Sequence, residues 1–205
     1  MDKNNLSSPY ALQYGIVHRP KKGRDISGDA YLIAGDEDRV LIGVIDGLGS
    51  GEAAAQASQV AAKCVKENSS LSLADITTRC HHALKGTRGV VMMLMRIDFI
   101  EGVVAFLGVG NVNAHVQSAD PIKPIPRNGI VGYRLPRLQE FRYHYTPGDL
   151  FVLHTDGISS RFVLSAWSEQ NPLCVEDSQG LQALAEEIAQ LFGKDDDDIT
   201  IVVAR

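Results

Sequence analysis

The 205-residue sequence is poor in the features that mark specialised classes of protein. Its three cysteines, Cys64, Cys80 and Cys174, cannot all pair within the chain and lack metal-ligand spacing. A disulfide framework and a zinc module are therefore excluded, and reduced thiols in a cytoplasmic protein are the simplest account. No apolar run approaches the roughly 20 residues of a membrane-spanning helix, and the polar start, Met1 to Ser8, is not a signal peptide. Cationic residues are outnumbered, 20 Lys and Arg against 25 Asp and Glu, for a formal net charge of −5. With no dense basic stripe, a general nucleic-acid binder is excluded too. Internal repeats and low-complexity linkers are missing, so one well-cored domain over residues 1–205 is expected, with 1–9 as a flexible N-terminus.

What the sequence does have is ordinary soluble composition, 44% hydrophobic and 22% charged, arranged around one unusual stretch. Val40-Leu41-Ile42-Gly43-Val44-Ile45 ends in Asp46, passes through Gly47, Gly49 and Gly51, and opens at Glu52 into an alanine-rich helix. The short β-branched run reads as a buried strand. A carboxylate at its end is costly unless something cationic neutralises it. Three readings compete. Asp46 can cap the helix that follows. Gly49-Ser50-Gly51-Glu52-Ala53-Ala54 also satisfies a dinucleotide fingerprint, G-x-G-x-x-A, but that motif requires a parallel βαβ unit, and here a second helical pattern follows in place of a strand. The third reading is a metal-bridging carboxylate, which needs other acids at strand ends.

Taken in order, Tyr10 to His18 reads as a first strand, ended by the basic turn Arg19-Pro20-Lys21-Lys22-Gly23-Arg24. Ala30 to Ala34 is a second, joined to the Val40 strand by a hairpin at Gly35-Asp36. Helical spacing covers Glu52 to Glu67 and Leu73 to Leu84. The period then changes. Val90 to Phe99, Val103 to Val109 and Val112 to Gln117 read as an antiparallel meander with turns at Glu101-Gly102 and Gly110-Asn111. Pro121 to Gly132 is a proline-punctuated connection, followed by strands over Gln139 to Tyr145 and Leu150 to Thr155. Ile158 to Glu169 is weakly helical, Leu181 to Phe192 is a clear amphipathic helix, and Ile199 to Ala204 is a last strand. Sequential strands with paired helices imply antiparallel sheets carrying helices, an α+β architecture.

Four acidic positions share one grammar. Asp29 follows Ser27-Gly28 and opens a strand, Asp46 ends one before Gly47, Asp156 follows Thr155 and precedes Gly157, and Asp197 and Asp198 precede the final strand. Each alone is an ordinary turn or cap residue, and the run Asp195 to Asp198 is an ordinary solvated charge run. Together they place hard oxygen ligands on one rim, which suits Mg2+ or Mn2+. Two such ions about 3.5–4 Å apart would polarise a phosphate and activate a water.

In this order and form, Ser27-Gly28-Asp29, Asp46-Gly47-Leu48-Gly49-Ser50-Gly51, Thr155-Asp156-Gly157 and Asp197-Asp198-Ile199-Thr200 resemble the acidic motifs of the PPM family of metal-dependent serine/threonine protein phosphatases. The glycine-rich form resembles its bacterial sporulation-phosphatase branch. The resemblance spans about Gly15 to Val203 and implies a four-layer αββα sandwich of two antiparallel sheets with helix pairs outside. It further implies two divalent ions, Mn2+ or Mg2+, with Asp46 bridging both, the Gly47 carbonyl on one, Asp156 and Asp197 on the other, and Asp29 acting through water. Asp198 would support the site. Arg24, five residues before Asp29, falls where relatives hold the substrate phosphate, though a solvated loop cation fits it equally. The implied activity is hydrolysis of phosphoserine or phosphothreonine by direct attack of a metal-bridging hydroxide, on phosphorylated STAS-domain proteins of a stressosome. The alternative is a catalytically silent module of the same fold that docks the same partners. Two departures from the pattern stand out: Gly28 replaces an acid, and Leu48 replaces the histidine expected to protonate the leaving group.

Overall fold

The computed structural model describes residues 12–170 and 177–205, without the side chains of 168–170. The expected flexible start at 1–9, the first residues of the Tyr10 strand, and Cys174 lie outside the described residues. The elements run β1 (Tyr14–Arg19), β2 (Asp29–Gly35), β3 (Arg39–Gly47), α1 (Glu52–Glu67), α2 (Leu73–Ala83), β4 (Val90–Asp98), β5 (Val103–Val109), β6 (Asn113–Gln117), β7 (Phe141–His144), β8 (Leu150–His154), α3 (Leu164–Gln170), α4 (Ser178–Phe192) and β9 (Ile199–Ala204).

The strands form two antiparallel sheets, one ordered β2-β3-β4-β5-β7 and the other β1-β9-β8-β6. Alternation along β3 shows how they stack. Ile42 and Val44 point to the layer between the sheets, where they pack with Met93, Phe106, Phe151, Leu153 and Val202. Leu41 and Ile45 point the other way, against Ala57, Ala61 and Val65 of α1, Ile76 of α2 and Leu84 just after it. On the far side, Val152, Ile201 and Val203 pack against Leu184, Ala185 and Ile188 of α4. β3, β4, β8 and β9 are buried on both faces, which is why they read as unbroken apolar runs. The result is the expected four-layer αββα sandwich, and the antiparallel β3–β4 ladder excludes the dinucleotide reading.

The helices begin where the sequence supplies caps. Ser72 Oγ accepts from Asp75 N at 3.1 Å and starts α2, and Asp177 Oδ1 accepts from Gly180 N at 2.8 Å and starts α4. Alanines let α1 lie close to its sheet. A Cβ on Gly47 would sit 2.1 Å from the Ala54 carbonyl oxygen, so only glycine allows this helix to meet the end of β3.

Two expectations need correction. The meander stops after β5: β6 pairs with β8 in the other sheet, so Gly110-Asn111 is a crossover and not a hairpin turn. The Pro121 to Gly132 connection fills the edge left behind, with Arg127 bridged to Val109 and Val131 to Val90. Helix α3 is confined to Leu164–Gln170, because Ile158 is bridged to Gly193 and Ser159 N bonds the Phe192 carbonyl.

Candidate active site

The acids meet where the ends of the two sheets come together. In the β2–β3 ladder Asp29 lies directly opposite Asp46. Like charges placed so are destabilising unless something neutralises them. Asp29 is almost fully buried. Its Oδ2 accepts from Thr155 Oγ1 at 2.7 Å, and Thr155 Oγ1 in turn accepts from Thr200 N at 3.1 Å. Strand β8 and strand β9 thus hold a carboxylate of β2 across the gap between the sheets. Asp46, Asp156 and Asp197 line one open cleft of about 450 Å3, together with Leu48, Gly49 and Asn111.

Electrostatics mark this cleft as short of positive charge. Burial, with the charges of Asp29, Asp156, Asp197 and Asp198, pushes the Asp46 carboxyl up to about 8. Burial pushes Asp29 up to about 7, with hydrogen bonds from Thr155 and Thr200 acting against it and the charges of Asp198 and Asp156 adding to it. Asp197 is also raised, by burial and then by Asp156. Carboxyls that hold protons near neutrality are what a cation would displace. Yet no three His, Cys, Asp or Glu side chains among the described residues are close enough to cage an ion by themselves. Any ion here must complete its shell with water and backbone oxygens, which is the habit of Mg2+.

Asp198 is buried and bonded to backbone on two sides. Its Oδ1 accepts from Lys21 N at 2.8 Å and its Oδ2 from Gly28 N at 2.7 Å, so it ties the basic turn and the start of β2 to β9. Gly28 cannot be the missing acid: a Cβ there would lie 2.9 Å from Ala54 Cβ and 3.1 Å from Asp198 Oδ2. Gly47, expected to lend its carbonyl, donates its N–H to the Gly28 carbonyl at 3.1 Å. Leu48 lines the cleft and packs on the inter-sheet core. His154 is a packed strand residue, its Nδ1 2.8 Å from the Thr155 carbonyl and its ring stacked on His115. Burial pushes it down to about 4.

Arg24 is exposed in its turn, its backbone N–H bonded to the Lys21 carbonyl, and it is not among the residues lining the cleft. Other residues reach the site instead.

A family model, Stage II sporulation protein E (SpoIIE), matches residues 36–205. The chain belongs to the SpoIIE family. Its fold is the PP2C-type phosphatase fold. Phosphoserine phosphatase RsbX of Bacillus subtilis (strain 168) is 27% identical over 199 residues, covering 95% of this chain and 94% of the relative. A chain solved in work on the bacterial stressosome as a modular system adapted to control secondary messenger signalling is 34% identical, with a TM-score of 0.86 over 95% of this chain and 99% of that one. RsbX in complex with magnesium superposes with a TM-score of 0.82 at 24% identity, covering 94% of each chain.

Within this SpoIIE-family cleft the structure brings in residues that no sequence motif marks. Asn111 Nδ2 donates a short hydrogen bond to Asp156 Oδ2, and Lys194 Nζ donates to the Asp156 carbonyl. Asn128, from the proline-punctuated connection, lines the same cleft as Asp46. Only the Gly-Asn pair after β5 signalled Asn111, and that pair also spells a hairpin turn. Nothing in the local sequence singles out Lys194 or Asn128, which arrive from distant segments.

Proposed function

We propose that this chain is a metal-dependent phosphoserine/phosphothreonine protein phosphatase acting on STAS-domain proteins of a stressosome. The observation that carries the reading is the opposed pair Asp29 and Asp46, raised to about 7 and about 8 by burial and further by neighbouring carboxylates, with Asp156 and Asp197 lining the cleft beside Asp46. A dication fits that donor set, because it would relieve the repulsion that raises these groups. Asp46, Asp156, Asp197, Asp29 and the Gly47 carbonyl would hold two such ions, Mn2+ or Mg2+. Bound there, they supply Lewis-acid polarisation of phosphate and lower the pKa of water.

The chain's own residues do the rest. Thr155 orients Asp29 and favours its ionised form. Asn111 fixes one oxygen of Asp156, and Lys194 anchors its backbone carbonyl. Leu48, Val91 and Ile130 form apolar walls that limit water around the reacting phosphate. With leucine at position 48, no side-chain acid of the histidine type stands beside Asp46. The magnesium-bound RsbX relative and the stressosome relative support the metal and the setting.

The test is release of inorganic phosphate from a serine-phosphorylated STAS-domain protein by the purified chain, with Mn2+ and with excess EDTA. Metal-dependent release supports the reading. Tight binding of the phosphoprotein without release, in Mn2+, would establish the silent module instead.

A further inference from the structure

Arg88 stands at the mouth of the cleft with no task in the account above. It lies in the turn that leads into β4, just before Gly89, whose carbonyl accepts from Leu48 N at 3.1 Å. That bond laces the turn to the chain two residues beyond Asp46. The guanidinium then reaches over Gly49: a Cβ at Gly49 would lie 2.4 Å from Arg88 Nη1. Gly49 lines the cleft and has φ +96, so its conformation and its lack of a side chain together leave a seat for the guanidinium.

We infer that Arg88, seated over Gly49 at the cleft mouth, is the arginine that receives the substrate's phosphate, in preference to Arg24; this rests on the phosphatase reading. Three observations converge. The five nearby acids do not capture Arg88: among the described residues it makes no ion pair, and its side chain is exposed. Two other cations near the cleft are already engaged, Lys194 with the Asp156 carbonyl and Arg127 with Gln139 Oε1. Neither arginine lines the cleft itself, but Arg88 Nη1 lies over Gly49, a lining residue, while Arg24 is exposed in its turn. A guanidinium presents planar paired donors that match phosphate oxygens, which a lone ammonium does not. Seated beside the acids and not among them, it can meet the outer oxygens of a phosphate without quenching the carboxylates that would hold metal.

The experiment uses the full chain with Mn2+ and the variants Arg88→Ala, Arg88→Lys and Arg24→Ala, with Lys22→Ala as a surface-charge control. Steady-state kinetics are taken on p-nitrophenyl phosphate and on a phosphoserine peptide, together with the Ki of inorganic phosphate and its affinity by calorimetry. For Arg88→Ala, KM and the phosphate Ki should rise roughly ten- to a hundredfold on both substrates, the scale of one charged hydrogen-bond pair. The kcat should change less, and Arg88→Lys should recover part of the loss. Arg88→Ala should also lose more than Arg24→Ala. Circular dichroism checks folding, which an exposed side chain should not disturb; were Arg88→Ala unfolded, Arg88→Lys would carry the comparison through its phosphate Ki. The inference is overturned if Arg88→Ala matches wild type, if its loss appears only with the peptide, or if Arg24→Ala loses as much. A wild type that binds phosphate through Arg88 but turns over neither substrate would sink the phosphatase reading and leave the phosphate seat standing.

Discussion

Asp46→Asn should make the metal-free protein more stable while removing its catalytic capacity. The carboxyl of Asp46 ionises near 3.8 in an unfolded chain and near 8 in the folded one. Between those values the folded state binds more protons, so stability falls as pH rises through the window, by about 1.4 kcal/mol per pH unit for each proton released. The full difference of about four units corresponds to an upper limit of ~5–6 kcal/mol at pH 8 and above. Coupling to Asp29 and local relaxation reduce this, and about 2–4 kcal/mol is a realistic share for one group. Asparagine keeps the shape and removes the charge at every pH. In EDTA at pH 8 the variant should therefore melt higher than wild type by about 5–15 °C, given ~2–4 °C per kcal/mol for a domain of this size. At pH 4–5 the folded carboxyl keeps its proton and only about one pH unit of the window remains, so the gap should narrow to roughly a third or less of its pH 8 value. Added Mn2+ should reverse the order, stabilising wild type and not the variant, and phosphate release by the variant should be lost. The measurement is paired thermal melts at pH 5 and pH 8 with and without EDTA. A variant less stable than wild type in EDTA at pH 8, or a gap that ignores pH, would refute the electrostatic reasoning.

Other consequences can be measured directly. Mn2+ should support faster turnover than Mg2+ at equal low concentration, and Ca2+ should bind without turnover, as carboxylate and water ligands favour Mn2+ and Mg2+ sheds water reluctantly; a metal titration of activity, with EDTA as the blank, checks this. Thr155→Val should cost ~1–3 kcal/mol in denaturant unfolding, because Asp29 Oδ2 loses its hydroxyl donor and Thr200 N its acceptor. Gly47→Ala should destabilise by more than that, since its Cβ would meet the Ala54 carbonyl at 2.1 Å; a variant that melts with wild type would show that α1 can shift aside.

The strand ends were legible because each carries two coincident signals, a period-two or unbroken apolar run and a glycine beside an acid. Asp29, Asp46, Asp156 and Asp197 follow from that grammar, and so do α1, α2 and α4 from their apolar faces. Strand partnership was not legible. Gly110-Asn111 spells a tight turn, and nothing local distinguishes a turn within a sheet from a step between sheets, since the choice depends on β8, some 40 residues further on. The same non-locality hid Lys194 and Asn128. The approach of Arg88 to Gly49 is hidden in the same way, because it depends on how two turns pack.

Strand β9 sits between β1 and β8, and Asp197 and Asp198 immediately precede it. A ribosome delivers β1 roughly 180 residues before its neighbour arrives, so until β9 emerges the four-stranded sheet is two disconnected pieces. Asp29 then has Thr155 in the chain but no β9 to hold that hydroxyl in place, and Gly28 has no Asp198 to hold it. A nascent chain therefore has no partial version of the site to leave active on an incomplete protein. The hydrogen bonds that hold Thr155 and Gly28 thus wait for β9 and the residues just before it, and contacts of such sequence separation are slow to form.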